Sequence, residues 1–372
     1  MRPQKKPVRI QRANPGRVFD QHRTEINAAI ARVFGRGRFI LDEEVARFEA
    51  EFARYLGVRH VIGVSSGTQA LAFALAALGI EPGDEVITVS MTFAATAIAI
   101  ESIGARPVFV DIDVATRCMD PCALEAAIGS ATAAIVPVHL HGIPAQMDAI
   151  SAIAQRHGLA VVEDCAQSHG AAIGLHRTGS LGHAAAFSFY PTKILGCAGD
   201  GGAVSTNDAA VATRARRLRH YGFDESGISV GPGTNGRLDE IQAAILRVLL
   251  PRVDQRIEQR RKLATQYRSE LAGTPIDLPP VDDGAVYHQF AIALEARDAV
   301  RADLLNAHGI DTGIHYPRGV HQHPQFARAG VSLPFTERLG HQLLSLPIEP
   351  EVVEGHVSDI SQALNESITA CR

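Results

Sequence analysis

The chain has 372 residues, 46% hydrophobic and 20% charged, enough for a substantial core in one or two domains. Its formal net charge of −4 argues against nucleic acid or an anionic membrane as the main partner. No apolar run reaches the roughly 18–20 residues of a membrane span; the Ala/Leu-rich run at 70–78 is soon broken by Gly79 and Pro82.

The basic start, Met1-Arg2-Pro3-Gln4-Lys5-Lys6-Pro7, lacks a following apolar core and does not read as a secretory signal. Strands are predicted at 60–64, 85–89, 107–110, 133–138, 159–163 and 185–189. Helical patterns lie between them. Residues 68–78 carry Leu71, Leu75 and Leu78 on one stripe, and 146–157 closes at Gly158. This alternation predicts an α/β fold with a mostly parallel, buried sheet.

The pattern then changes. Asn207-Asp208 caps an Arg-rich helix running to about His220, and a Gly-rich stretch follows at 227–236. A helix with Leu238, Ile241, Ile245 and Val248 inward is interrupted by Pro251 and resumes to about Leu271. Residues 275–284 read as a linker, 286–293 as a strand, and 298–308 as a helix ending at Gly309. The expected division is an N-terminal segment at 1–25, a large domain at 26–250 and a smaller C-terminal α/β domain at 251–372. Five cysteines (Cys118, Cys122, Cys165, Cys197 and Cys371) form no paired motif and fit free thiols in a reducing cytoplasm.

Four segments offer chemistry, each weakly specific alone. Ser65-Ser66-Gly67-Thr68 lies between a strand and a helix, where backbone N–H groups and the helix dipole favour an anion. It reads equally as a plain turn capped by Ser66 or Thr68. Glu163-Asp164 puts acid at the carboxyl end of a buried strand, where α/β proteins bind ligands. Lys193, after Ser188 and another strand, is a solvated charge or, in a closed pocket, an amine nucleophile. Asn235 precedes a long helix and suits a cap. His139, His141, His315, His321 and His323 show no metal-ligand spacing, so no metal is assigned. Jointly, an anion-binding helix start, a strand-end acid and a lysine suit pyridoxal 5'-phosphate. That cofactor needs its phosphate held, its ring nitrogen paired and its carbonyl carbon bonded to an amine.

The motifs in combination resemble the nucleotide-sugar aminotransferases, the DegT-like group of fold-type-I, pyridoxal-phosphate-dependent enzymes. The resemblance runs from about Gly37 to Leu346-Pro347. It rests on Gly67-Thr68, Met91-Thr92-Phe93, Glu163-Asp164-x-Ala166-Gln167-x-His169-Gly170, Phe187-Ser188-Phe189-x-Pro191-x-Lys193, Gly199-Asp200-Gly201-Gly202 and Asn235-x-Arg237-Leu238-Asp239. It implies that Lys193 bonds the cofactor and shuttles a proton, and that Asp164 pairs with the ring nitrogen. Gln167 would meet the ring hydroxyl, Phe93 would stack on the ring, and Gly67, Thr68 and Ser188 would hold the phosphate. Asn235 would reach the phosphate of a neighbouring subunit, making a homodimer with shared active sites. Cys165, His141 and Thr192 depart from the family pattern without removing a needed group.

The resemblance also implies an amino donor, L-glutamate or glutamine, and a keto-sugar acceptor. His315-Tyr316 with His321, together with Tyr221, resembles members that aminate a 3-keto nucleotide sugar; Arg237 and Arg318 suit a diphosphate. A nucleotide-linked 3-keto-6-deoxyhexose is the favoured substrate, with 4-keto sugars and keto-cyclitols as alternatives. A sugar dehydratase of this group has histidine in place of Lys193, and a regulator that only kept the fold would be expected to lose Lys193 or Asp164. No nicotinamide fingerprint follows the early strands.

Overall fold

A computed structural model describes residues 9–371 of the protein. The basic stretch at residues 1–7 lies outside them.

Three helices precede the first strand: α1 (Pro15–Gln21), α2 (Arg23–Arg36) and α3 (Glu43–Leu56). The strand-by-strand reading did not anticipate them. In α3 the buried Val45, Phe48, Phe52 and Leu56 recur at helical spacing, and Gly57 ends it in the left-handed region. No side chain of its own segment caps α3. Instead the buried Glu240 carboxylate accepts N–H bonds from Asp42 (2.8 Å), Glu44 (2.7 Å) and Val45 (3.0 Å).

The βα alternation then runs as expected. It comprises β1 (His60–Val64), α4 (Gly67–Ala77), β2 (Glu85–Val89), α5 (Ala95–Ser102), β3 (Arg106–Val110), α6 (Pro121–Ala127), β4 (Thr132–Val136), α7 (Met147–His157) and β5 (Ala160–Asp164). A short hairpin, β6 (Ala172–Ile173) and β7 (His176–Arg177), leads to β8 (Ala184–Ser188) and β9 (Gly202–Thr206). Seven strands form one sheet in the order β1-β9-β8-β5-β4-β2-β3. All pairs are parallel except those of β9, which runs against both neighbours.

Both faces of the sheet are covered, so its strands are apolar on both sides. Ile62, Val86, Val136, Val162 and Ala186 point to α4, α5 and α8 (Ala209–Leu218). Their neighbours in the strands point the other way. Val61 and Phe187 meet α3 and α9 (Glu240–Leu249), while Ile87, Ile135 and Val161 meet α6 and α7. The period-2 alternation thus fills two layers from one set of strands. Asp208 caps α8 through the Ala210 and Val211 N–H groups.

Pro251 breaks the next helix as predicted. A 3-10 turn at Leu250–Arg252 separates α9 from α10 (Val253–Glu270). Val253 and Ile257 of α10 belong to the sheet's core, while Leu263, Ala264 and Tyr267 belong to a second core. That core is built on the antiparallel pair β10 (Phe290–Ala293) and β11 (Leu343–Leu346). The helices α11 (Arg297–His308), α12 (Pro334–Gln342), α13 (Pro350–Val353) and α14 (Val357–Ala370) complete the chain. The N-terminal stretch joins this second core, with Ile10 bridged to Ile310.

The strand expected at 286–293 is confined to Phe290–Ala293. The residues before it are spent on another contact. Val286 N–H donates to the Gly142 carbonyl and Gln289 N–H to the His141 carbonyl, at 2.9 and 3.2 Å. This docking brings His288 and Gln289 to the carboxyl ends of the sheet strands.

Candidate active site

A cavity of about 420 Å³ opens at the carboxyl ends of the parallel strands. Its walls come from the sequence segments that stood out for chemistry: Gly67, Thr68, Phe93, Asp164, Gln167 and Lys193. Ser188 and Tyr316 border it too.

At one end lies the start of α4. Ser66 caps the helix by accepting the Gln69 N–H at 3.2 Å, which decides between the two caps considered. The rest of the first turn leaves N–H groups without helical partners, and those favour an anion. Gly67 is required here by close approach: a Cβ at this position would lie 2.7 Å from Ser188 Cβ. Gly67 and Ser188 are therefore in contact although 121 positions apart, and both line the cavity together with Thr68.

Asp164 ends β5 and is 5% exposed. Its Oδ2 accepts the Thr96 hydroxyl at 2.9 Å and its Oδ1 the Ala166 N–H at 3.1 Å. Burial raises its pKa above the usual carboxylate value. No cation makes an ion pair with it among the described residues, so the carboxylate calls for a positive partner in the cavity.

Lys193 follows Ser188 on the loop after β8, its N–H bonded to the Tyr190 carbonyl at 2.8 Å. Burial lowers its pKa to about 8, against the opposing pull of Asp164. An amine of that basicity is partly neutral at physiological pH and can act as nucleophile or base.

Gln167 is held at both ends of its amide. Its Oε1 accepts the His141 N–H at 2.7 Å, and its Nε2 donates to the Tyr316 hydroxyl at 2.9 Å. One amide N–H remains for a ligand. Phe93 is 61% exposed and lies 5.9 Å from the Tyr316 ring, centroid to centroid. An exposed aromatic face on the wall of a polar cavity suits a flat ring.

The other predicted residues fall into two groups. His315 turns away from the cavity, its Nδ1 bonded to Ser345 Oγ at 2.9 Å. Its carbonyl accepts the His141 Nε2–H at 2.8 Å. His321 is buried between Ser90 Oγ (2.6 Å from Nδ1) and Glu337 Oε1 (3.1 Å from Nε2). With both ring nitrogens engaged it braces the loop and does not line the cavity. Tyr221, Asn235 and Arg237 lie elsewhere on the surface of the chain. The Arg237 guanidinium sits over the Tyr221 ring at 5.3 Å, and Asn235 is exposed.

Sequence reasoning missed three contributors, Thr96, His288 and Gln289. Thr96 sits in the first turn of α5, and the other two on the irregular stretch before β10; no motif marks them. Glu163, the other acid of its pair, points away from the cavity. His139, Glu163 and Cys165 gather within 4.8 Å. Yet His139 Nδ1 already accepts the Ala145 N–H and its Nε2 meets Glu163. The two oxygens of Glu163 also accept the N–H groups of Gly179, Leu181 and Gly182. Hydrogen bonds thus already occupy the histidine and the carboxylate.

An anion cradle, a buried carboxylate without a cation and a nearby weakly basic lysine fit one kind of group: phosphorylated, carbonyl-bearing and cationic at a ring nitrogen. Comparison with known proteins decides which. The model of the DegT/DnrJ/EryC1/StrS aminotransferase family matches residues 20–365. The chain belongs to that family. It is an aminotransferase that uses pyridoxal phosphate.

Several relatives of this aminotransferase are named as sugar transaminases. It is 46% identical to a dTDP-3-amino-3,4,6-trideoxy-alpha-D-glucose transaminase of Streptomyces venezuelae, over 94% of this chain and 93% of that one. It is 44% identical to a UDP-N-acetyl-3-dehydro-alpha-D-glucosamine 3-aminotransferase of Acidithiobacillus ferrooxidans, over 94% and 95%. Its fold superposes on the crystal structure of S. venezuelae DesV in complex with a ketimine intermediate. The TM-score there is 0.93 at 45% identity, over 97% of this chain and 98% of that one.

Proposed function

We propose that this aminotransferase moves the amino group of L-glutamate, or glutamine, to the keto carbon of a nucleotide-linked 3-keto sugar, with a 3-keto-6-deoxyhexose as the favoured acceptor. The observation that carries the reading is the meeting of Lys193, Asp164 and the α4 start in one cavity. Relatives whose names specify 3-amino or 3-dehydro sugars support the position of amination.

Each residue has a task it can perform where it stands. Bound pyridoxal phosphate supplies the electron sink that stabilises the charge left when the donor's α-proton departs. Lys193 would remove that proton and return it to the cofactor's former carbonyl carbon, on the far side of the shared nitrogen, a role suited to an amine whose pKa is lowered to about 8. Asp164 supplies the negative charge that keeps the ring nitrogen protonated, in a site dry enough to make the pair strong. Gln167 offers its free N–H to the ring hydroxyl, and Tyr316 holds Gln167 in place. Gly67, Thr68 and Ser188 take the phosphate, and Phe93 fixes the plane of the ring.

Tyr221, Asn235 and Arg237 serve a neighbouring copy in this reading. The exposure of Tyr221 and Asn235 on a single chain supports it, and so does the Nε of the half-buried Arg237, which is buried with no hydrogen-bond partner. The working enzyme is then a homodimer with shared sites. No helix among the described residues is long and apolar enough to cross a membrane. With five free thiols, that supports a cytoplasmic enzyme.

The test supplies L-glutamate with nucleotide-linked 3-keto- and 4-keto-6-deoxyhexoses in turn and follows the aminated sugar by mass spectrometry. Amination of the 3-keto sugar at least tenfold faster than the 4-keto sugar is expected. Preference for the 4-keto sugar, or turnover of a keto-cyclitol alone, overturns the substrate.

A further inference from the structure

A cationic cleft that none of the roles above uses adjoins the active-site cavity. Thr192, His288 and Gln289 line the cavity on one side and the narrow cleft on the other. Arg12 stands on that cleft. The chain is tied down on both sides of Arg12. Ile10 N–H donates to the Gly309 carbonyl at 3.1 Å, and the Ile10 carbonyl accepts the Asp311 N–H at 2.9 Å. Beyond it, Asn14 N–H donates to the Glu349 carboxylate.

The charge of Arg12 is unmatched. Among the described residues its guanidinium makes no hydrogen bond or ion pair. Glu349, the carboxylate on the same cleft, is already engaged by Asn14 N–H and by Arg256 at 3.7 Å. Arg260 beside it donates from one nitrogen to the Tyr287 and His288 carbonyls. A second polar group there is also unsatisfied. His288 is 7% exposed, and its Nδ1 has no hydrogen-bond partner. Burial and the nearby Lys193 hold that ring neutral, so one of its nitrogens carries a proton to donate.

From these positions we infer that Arg12 and His288 form the receiving site for a substrate carboxylate. The inference rests on the transamination reading above and deepens it. A substrate reacting at Lys193 would have Thr192, the residue before it, and His288 in the same cavity lining. Thr192 and His288 are shared between the cavity and the cleft on which Arg12 stands. A planar carboxylate matches the fork of a guanidinium and takes a further bond from an imidazole N–H. Two substrates can bring a carboxylate here, the amino donor and a uronic-acid sugar.

The test titrates the pyridoxal-phosphate-loaded protein with maleate by calorimetry, for the native chain, Arg12→Gln and Arg12→Lys. Maleate is a dicarboxylate with no amine, so it reports binding without transfer. Arg12→Gln should weaken maleate roughly 10- to 100-fold, the loss of one charge-assisted contact, and Arg12→Lys should recover part of it. The affinity ratio of UDP-glucuronate to UDP-glucose separates the sources. Loss of maleate with that ratio unchanged assigns the site to the amino donor; a falling ratio assigns it to the sugar. Equal maleate affinity in all three proteins with an unchanged ratio overturns the site, as does a loss confined to UDP itself. A native protein that binds maleate but is not converted by L-glutamate leaves Arg12 in place and overturns the donor instead.

Discussion

Glu163 and Asp164 are consecutive in β5 and have opposite fates. The Glu163 carboxylate is closed off by the His139 ring and three backbone N–H groups. That of Asp164 opens on the cavity with only Thr96 and Ala166 as partners. The period-2 alternation of a strand sends one acid into the protein and the other to the cavity.

The two acids should therefore separate cleanly on substitution. Asp164→Asn removes the charge opposite the ring nitrogen and leaves a similar shape. It should cut turnover by about 100-fold or more while the melting temperature moves little. Glu163→Gln replaces an acceptor oxygen with an amide NH₂ facing N–H donors. It should cost about 2–4 kcal/mol of stability in denaturant unfolding. Asp164→Asn retaining near-native turnover would contradict the assignment.

The lysine predicts a pH dependence. Its pKa is lowered to about 8, so the neutral, reactive form grows as pH rises toward that value. Below pH 8 the rate at which added pyridoxal phosphate joins the cofactor-stripped protein should fall about tenfold per pH unit. Above it the rate should level. Stopped-flow absorbance between pH 6 and 9.5 reads this directly, and a midpoint near 10 would show that the lysine is solvated.

The cradle predicts a steric effect. Gly67→Ala places a methyl 2.7 Å from Ser188 Cβ, so strand and helix must part. Cofactor affinity should fall roughly 10-fold or more. Ser188→Gly in the same chain should restore part of it by clearing the Cβ, although it also removes a hydroxyl. Equilibrium titration of the cofactor by its visible absorbance measures both. Failure of the second change to help would point to a contact other than Ser188.

Much of the sheet was legible because apolar strands between turn signals dominate it. The bounds of β1 and β2 agree with the reading residue for residue, and those of β3, β4, β5 and β8 fall within two residues. β9 escaped because Gly-Ala-Val-Ser-Thr is small and polar, and its glycine read as part of a motif. α3 carried a strong amphipathic stripe that was overlooked. Its unusual feature, a cap supplied by Glu240 from 195 or more positions away, has no local signal. The site divides along the same line. Residues next to strand ends, such as Asp164, Ser188 and Lys193, are placed by local sequence. His288 and Gln289 reach the cavity, and Arg12 the cleft beside it, only through tertiary docking of irregular segments, which no spacing reveals. The location of His321 shows the converse. Its position in a motif suggested substrate, but Ser90 and Glu337 take both nitrogens.

The central claim is that Lys193 and Asp164 run a transamination on a bound pyridoxal phosphate. The most direct test is the absorbance spectrum of the purified protein before and after L-glutamate, in the native chain and in Lys193→Ala. The account predicts a visible band of lysine-bound cofactor that shifts to shorter wavelength with glutamate and is absent from the variant. A native protein that stays colourless with added pyridoxal phosphate, or a variant that reacts as the native chain does, would contradict it.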